Sequence, residues 1–261
     1  MLFMPDLFNY FLTGEMRCEY TEASTSQMFN SEKYEWAYDM LEKMGIPTDI
    51  FAEMIYPGEK VGVLKPELAE ELGVGQIPVI AVASHDTGSA VASVPVAKDE
   101  DFVYISSGTW SLMGVELDKP MVTEEAMAHN FTNEGGVNKT VRFLKNIMGL
   151  WLIQETRRWY NSTRCAGYSF ADLENMARET EPFMSFIDPA APEFALPDDM
   201  PPKIQEYCRR TNQPVPMTPG EVMRCIYQSL ACEFALTFGE ISELVGADFG
   251  LIHMIGGGTK D

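Results

Sequence analysis

Basic side chains are scarce: 19 Lys and Arg stand against 39 Asp and Glu, a formal charge of −20 at pH 7. Such an imbalance repels nucleic acid and anionic membrane surfaces, whose binding depends on basic patches. It does not exclude a nucleotide, because a phosphate is gripped by local amides and hydroxyls rather than by overall charge. Long apolar runs are missing too, and the longest, such as residues 77–83, are far too short to span a bilayer. The opening MLFMPDLFNYFLTG has neither a basic leader nor a small-residue cleavage site, so no signal peptide is expected. The 3 histidines are scattered, which leaves a zinc site unsupported. The 5 cysteines (Cys18, Cys165, Cys208, Cys225 and Cys232) form no CxxC pair, and an odd, scattered count fits a reducing cytoplasm. Cys208 and Cys225 are candidates for close neighbours, as buried free thiols.

What is present points to an α/β protein. At 261 residues and 46% hydrophobic content, the chain can bury a sizeable core in one large domain or two ordinary ones. Apolar periodicity predicts helices over residues 5–12, 34–44 and 66–72, each stopped by a glycine. In the second, Trp36, Met40, Leu41 and Met44 would share one side. IPVIAVAS, residues 77–84, is the densest strand signal, and its unbroken apolar run suggests burial on both faces. A small-residue helix over residues 90–94 follows, and the charged, turn-like residues 96–101 mark a domain boundary. Beyond it, FVYIS, the turn at residues 106–109 and WSLMGVEL read as a hairpin. VRFLKN reads as a strand, with Asn146 opening a helix over residues 147–160. Residues 181–219 are proline-rich around a short helix at 203–210. Thr218, Pro219 and Glu221 then start a helix that runs to about residue 245. LIHMI is the last strand and leads straight into Gly256-Gly257-Gly258.

Three places share one design, a strand ending in a tight, small or hydroxylated turn: residues 84–89, 106–109 and 256–259. In open α/β sheets, ligands bind beyond the carboxyl ends of strands, where amides and helix N-termini point at them. Asp86 follows a strand directly, and reads either as a helix cap or as the carboxylate that accepts a hydroxyl proton in phosphoryl transfer. His85 reads as a packed strand-end histidine or as a sugar ligand. Trp110, Trp151 and the methionines read as core.

ASHDTGSAVASVP, YISSGTWSLMGVE, NFTNEGG, RFLKNIMGLWLIQE, RCIYQSLA and IHMIGGGTKD, in that order, resemble the FGGY family of carbohydrate kinases along the whole chain. ISSGTWSLMG beside SHDT sets it apart from the xylulokinase and glycerol kinase branches. The resemblance implies a two-domain ribonuclease H-like (actin-type ATPase) α/β fold, partial at both ends. Residues 1–95 would be the C-terminal part of the sugar-binding domain, and residues 96–261 most of the nucleotide-binding domain. It implies Asp86 as catalytic base and His85, Asp86 and Thr87 as the sugar-contacting tripeptide. Thr109, Asn146, Gln154 and Gly257 would contact the nucleotide, with ATP and Mg2+ taking part. The implied reaction moves the ATP γ-phosphoryl group to the 1-hydroxyl of a ketose, L-rhamnulose being expected. The alternatives are another ketose or polyol, such as L-fuculose, or a non-catalytic sugar- or nucleotide-binding module. Each carried-over residue keeps a plainer alternative: Asn146 as an N-cap, Gln154 as a solvated helix residue, Gly257 as a sharp strand exit. Family members begin with a glycine-rich phosphate hairpin, and none precedes Met1-Leu2 here. They also continue past the GGG turn. The expectation is an internal piece of a cytoplasmic kinase, inactive by itself.

Overall fold

The structure, a computed structural model, describes residues 1–96 and 101–260. The boundary turn expected at residues 96–101, and the last residue of the GGGTKD segment, fall mostly or wholly outside them. The chain divides into two compact units, Met1–Lys98 with Val115–Leu144, and Asp99–Gly114 with Lys145–Asp261. Two strands are shared out between them. Residues 110–114 and 145–148 belong to the second unit, residues 115–117 and 141–144 to the first. Among the described residues, no helix is long and apolar enough to cross a membrane.

In the first unit, helix Met4–Thr13 stops where Gly14 takes a left-handed conformation, as its sequence predicts. Strand Arg17–Glu19 follows and pairs in parallel with Glu53–Ile55. The helix expected over residues 34–44 is shorter. Glu35–Trp36 pairs instead as a strand with Phe29–Asn30, and only Tyr38–Lys43 is helical. The cause is Trp36, whose indole N–H donates to the Ala52 carbonyl at 3.1 Å while the ring packs with Cys18, Ala23 and Leu41. Met40 and Met44 are left exposed. Helix Pro66–Leu72 forms as expected.

IPVIAVAS is not a strand buried on two faces. Only Pro78–Ile80 is strand, antiparallel to Lys60–Val63. Ala81 and Ala83 are buried while Ile77, Ile80 and Val82 are exposed, a one-sided burial pattern. The helix after it spans Asp86–Ala92, earlier than the small-residue run suggested. Phe131–Gly135 lies beside the strand Val141–Met148.

In the second unit, Val103–Ser107 and Trp110–Leu117 form the expected hairpin, with Ser107 opposite Ser111. Ile252–Ile255 joins its outer side in parallel, with Ile255 opposite Ser106. Helices Trp151–Thr163, Phe170–Arg178, Met200–Arg210 and Pro219–Val245 enclose a core that includes Leu152, Leu173, Phe194, Ile204, Val222 and Ile226. Thr218 caps the long helix: its hydroxyl accepts from the Glu221 amide at 3.2 Å, and the Glu221 carboxylate accepts from the Thr218 amide at 2.9 Å. That helix ends at Gly246. Cys208 and Cys225 are buried hydrogen-bond partners, and all five cysteines are free. Two expectations fail here. Asn146 lies within a strand rather than at a helix start. Trp110 is 52% exposed rather than core, although Trp151 is half-buried and its indole N–H donates to the Phe194 carbonyl.

Candidate active site

The first unit carries His85, Asp86 and Thr87 at the mouth of a short helix. Glu19 and Thr21 hold the backbone there. The fully buried Glu19 carboxylate accepts from the Ser84 amide at 3.0 Å and the Thr21 hydroxyl at 2.5 Å. The Thr21 hydroxyl in turn accepts from the His85 amide at 3.2 Å. Thr87 is buried, with its hydroxyl 3.4 Å from Asp86 Oδ1. Asp86 itself is exposed and sits inside the helix, not before it. His85 is the cap residue, and no side chain caps this helix. The cap reading of Asp86 therefore has no hydrogen bond behind it.

Behind His85 lies a buried charged cluster. Arg142 Nη2 is 2.9 Å from His85 Nδ1 and 3.0 Å from Glu134 Oε2, and Arg142 Nε donates to the Gly135 carbonyl at 3.0 Å. The plain reading of His85 as a packed residue is thus half right, since its side chain is 24% exposed and its inner nitrogen is engaged. None of Glu19, Thr21, Glu134 and Arg142 was singled out from sequence. The available signal was Arg142, a lone charge inside the apolar run VRFL, because buried charges are paired.

In the second unit, three strand ends come together. Gly108 O accepts from Leu150 N at 3.0 Å and Thr109 O from Trp151 N at 3.1 Å, which docks the hairpin turn onto the start of helix Trp151–Thr163. The approach requires glycine. A Cβ on Gly149 would come within 2.7 Å of Ser111 Oγ, and one on Gly258 would collide with Ser107 Oγ. Thr109 and Gln154 meet across this junction, hydroxyl to amide at 3.4 Å. Asn146 is exposed on its strand, three residues before Gly149. Gly257 is exposed, and a Cβ there would meet nothing within 4 Å. A cavity of about 250 Å³ adjoins these turns, lined by Ser107, Ser111, Gly149, Ile153, Phe234 and Met254 among others.

Two helix-start amides are occupied by the turn carbonyls, while the Thr109 hydroxyl and the Gln154 amide share only a long 3.4 Å contact and the Gly257 backbone is open. These are neutral donors on open, glycine-bearing backbone, a set that fits a phosphate chain. Among the described residues no three His, Cys, Asp or Glu side chains cluster as ligands.

Residues 1–92 match the N-terminal domain, and residues 103–261 the C-terminal domain, of the FGGY family of carbohydrate kinases. The chain belongs to that family. It is 47% identical over 261 residues to a rhamnulokinase of Bacteroides thetaiotaomicron, covering all of this chain and 53% of that protein. It is 45% identical over 260 residues to a rhamnulokinase of Oceanobacillus iheyensis, covering 100% of this chain and 54% of that protein. The chain thus spans about half the length of the curated relatives it matches. The ligand-bound xylulose kinase of Lactobacillus acidophilus superposes with a TM-score of 0.72 at 14% identity, over 100% of this chain and 51% of that one. The fold is accordingly the actin-type, ribonuclease H-like α/β fold of these kinases.

Proposed function

We propose that this chain is part of a rhamnulokinase, which phosphorylates L-rhamnulose at its 1-hydroxyl with ATP. The observation that carries the reading is Asp86, an exposed carboxylate that caps nothing, beside a histidine held from behind by a buried arginine. The identity to rhamnulokinases along the whole chain supports the choice of sugar.

In this mechanism His85 and Thr87 orient the ketose, and Asp86 accepts the 1-hydroxyl proton as that oxygen attacks the γ-phosphorus and ADP departs. ATP supplies the phosphoryl group. Thr109, Asn146, Gln154 and Gly257 bind the nucleotide through neutral donors. Mg2+ enters only as the counter-ion of the nucleotide, and no residue of this chain is assigned to it. Residues 1–95, with Glu134 and Arg142 behind His85, serve the sugar and the rest of residues 96–261 the nucleotide, in the cytoplasm.

The test is coupled ADP release with Mg-ATP and L-rhamnulose, L-fuculose and D-xylulose in turn. It is run on this chain and on a form extended to the relatives' length. L-Rhamnulose is expected to give the highest kcat/KM. A preference for L-fuculose or D-xylulose would move the assignment to a sister kinase.

A further inference from the structure

We propose that Arg142 is a positioning residue for His85, holding its imidazole in the neutral tautomer that carries the proton on Nε2. The inference rests on the sugar-kinase reading only for what His85 then contacts, and on geometry for the tautomer itself.

A guanidinium has five N–H donors, no acceptor, and does not deprotonate in proteins. Arg142 Nη2 lies 2.9 Å from His85 Nδ1. Two nitrogens at that distance form a hydrogen bond only if Nδ1 is bare and accepts. The proton of the neutral ring must then sit on Nε2. The competing partner for Nδ1 is Glu134 Oε2, but at 3.5 Å it is farther from the ring than from Arg142 Nη2, at 3.0 Å. Glu134 Oε2 hydrogen-bonds neither of them and acts only as a neighbouring opposite charge, so the one hydrogen bond at Nδ1 is the arginine's.

The clamp has little room to adjust. Arg142 is fully buried, its Nε is committed to the Gly135 carbonyl, and Gly88 packs against the guanidinium. The His85 backbone is held by Thr21. Arg142 Nη1 and Glu134 Oε2 meanwhile both lack a hydrogen-bond partner. A buried ion pair with an unmet donor is a weak source of stability compared with apolar packing. What this cluster supplies is orientation: a fixed N–H donor at Nε2, matched to an oxygen of the ketose, a hydroxyl or the carbonyl.

Histidine tautomers are distinguished by long-range 1H–15N correlation of the imidazole nitrogens. Only His85, His129 and His253 occur, so replacing the other two assigns the signals. The unliganded wild type is expected to show His85 with a bare Nδ1 and a protonated Nε2. A His85 protonated at Nδ1, or averaging between tautomers, overturns the proposal without any variant. In Arg142→Met, His85 is expected to average between tautomers, and the affinity for L-rhamnulose to fall about threefold to tenfold, as for one lost hydrogen bond. A folded Arg142→Met chain with an unchanged His85 spectrum would remove Arg142 from the role. A wild type with the expected tautomer but no response to L-rhamnulose supports the positioning and overturns the substrate assignment instead.

Discussion

Two aspartates in first helical turns show how environment decides what a carboxylate does. Asp6 is buried, and both its oxygens are engaged, by the Glu19 amide at 3.0 Å and the Phe3 amide at 3.2 Å. Burial outweighs those bonds and pushes its pKa up from 3.8 to about 6. Between those values the folded chain holds a proton that the unfolded chain releases. The stabilising contribution of Asp6 is therefore full below pH 3.8 and is lost as pH rises through about 6. Asp6→Asn is expected to flatten the decline in melting temperature across that window. An unchanged slope would trace the decline to other groups. Asp86, exposed and capping nothing, has the opposite surroundings. In whichever form of the protein turns over L-rhamnulose, Asp86→Asn is expected to lower kcat by roughly 10²–10⁴-fold, as for a lost general base. KM for the sugar should change far less, because the amide keeps the size and one acceptor oxygen. Near-normal turnover would return Asp86 to a structural role.

At the scale of elements, the local signals that held were those satisfied within a few residues. The Thr218–Glu221 box starts helix Pro219–Val245 and Gly246 ends it, as spacing alone predicts. Thr218→Ala removes an acceptor for a helix-start amide, a loss of about 1 kcal/mol. The melting midpoint should fall by about 2–4 °C, read by circular dichroism. No change would mean that Glu221, which also accepts from the Met217 amide at 2.7 Å, carries the cap alone. The elements that departed from expectation were decided by partners distant in sequence. Trp36 becomes strand because its indole reaches Ala52. Residues 146–150 stay out of the helix because Leu150 and Trp151 donate to the hairpin turn at Gly108 and Thr109. Helix Phe170–Arg178, which no expectation included, does carry a local signal, the Ser169–Asp172 capping box.

For the molecule as a whole, the governing quantity is its charge of −20. Self-repulsion destabilises a compact state, and salt weakens it as the screening length falls from about 30 Å at 0.01 M to about 8 Å at 0.15 M. The melting temperature is expected to rise with sodium chloride over that range. A fall would mean that specific pairs, such as Lys145 with Glu240 at 2.8 Å, outweigh the general repulsion.

Sequence alone determined the family, the hairpin with its SSGT turn, the long capped helix and the SHDT segment. Each of these is legible from residues adjacent in the chain. It also placed Thr109 and Gln154 in one functional group, and the structure brings those two side chains together. Only the tertiary structure decided which face of IPVIAVAS is covered, because a continuous apolar run has no period from which a face can be read. The support behind His85 belongs to the tertiary structure too. Glu19 and Thr21 lie more than sixty residues before it, and Glu134 and Arg142 about fifty after. A hydrogen bond depends on distance and angle in space, and separations of that length along a chain leave no periodic trace.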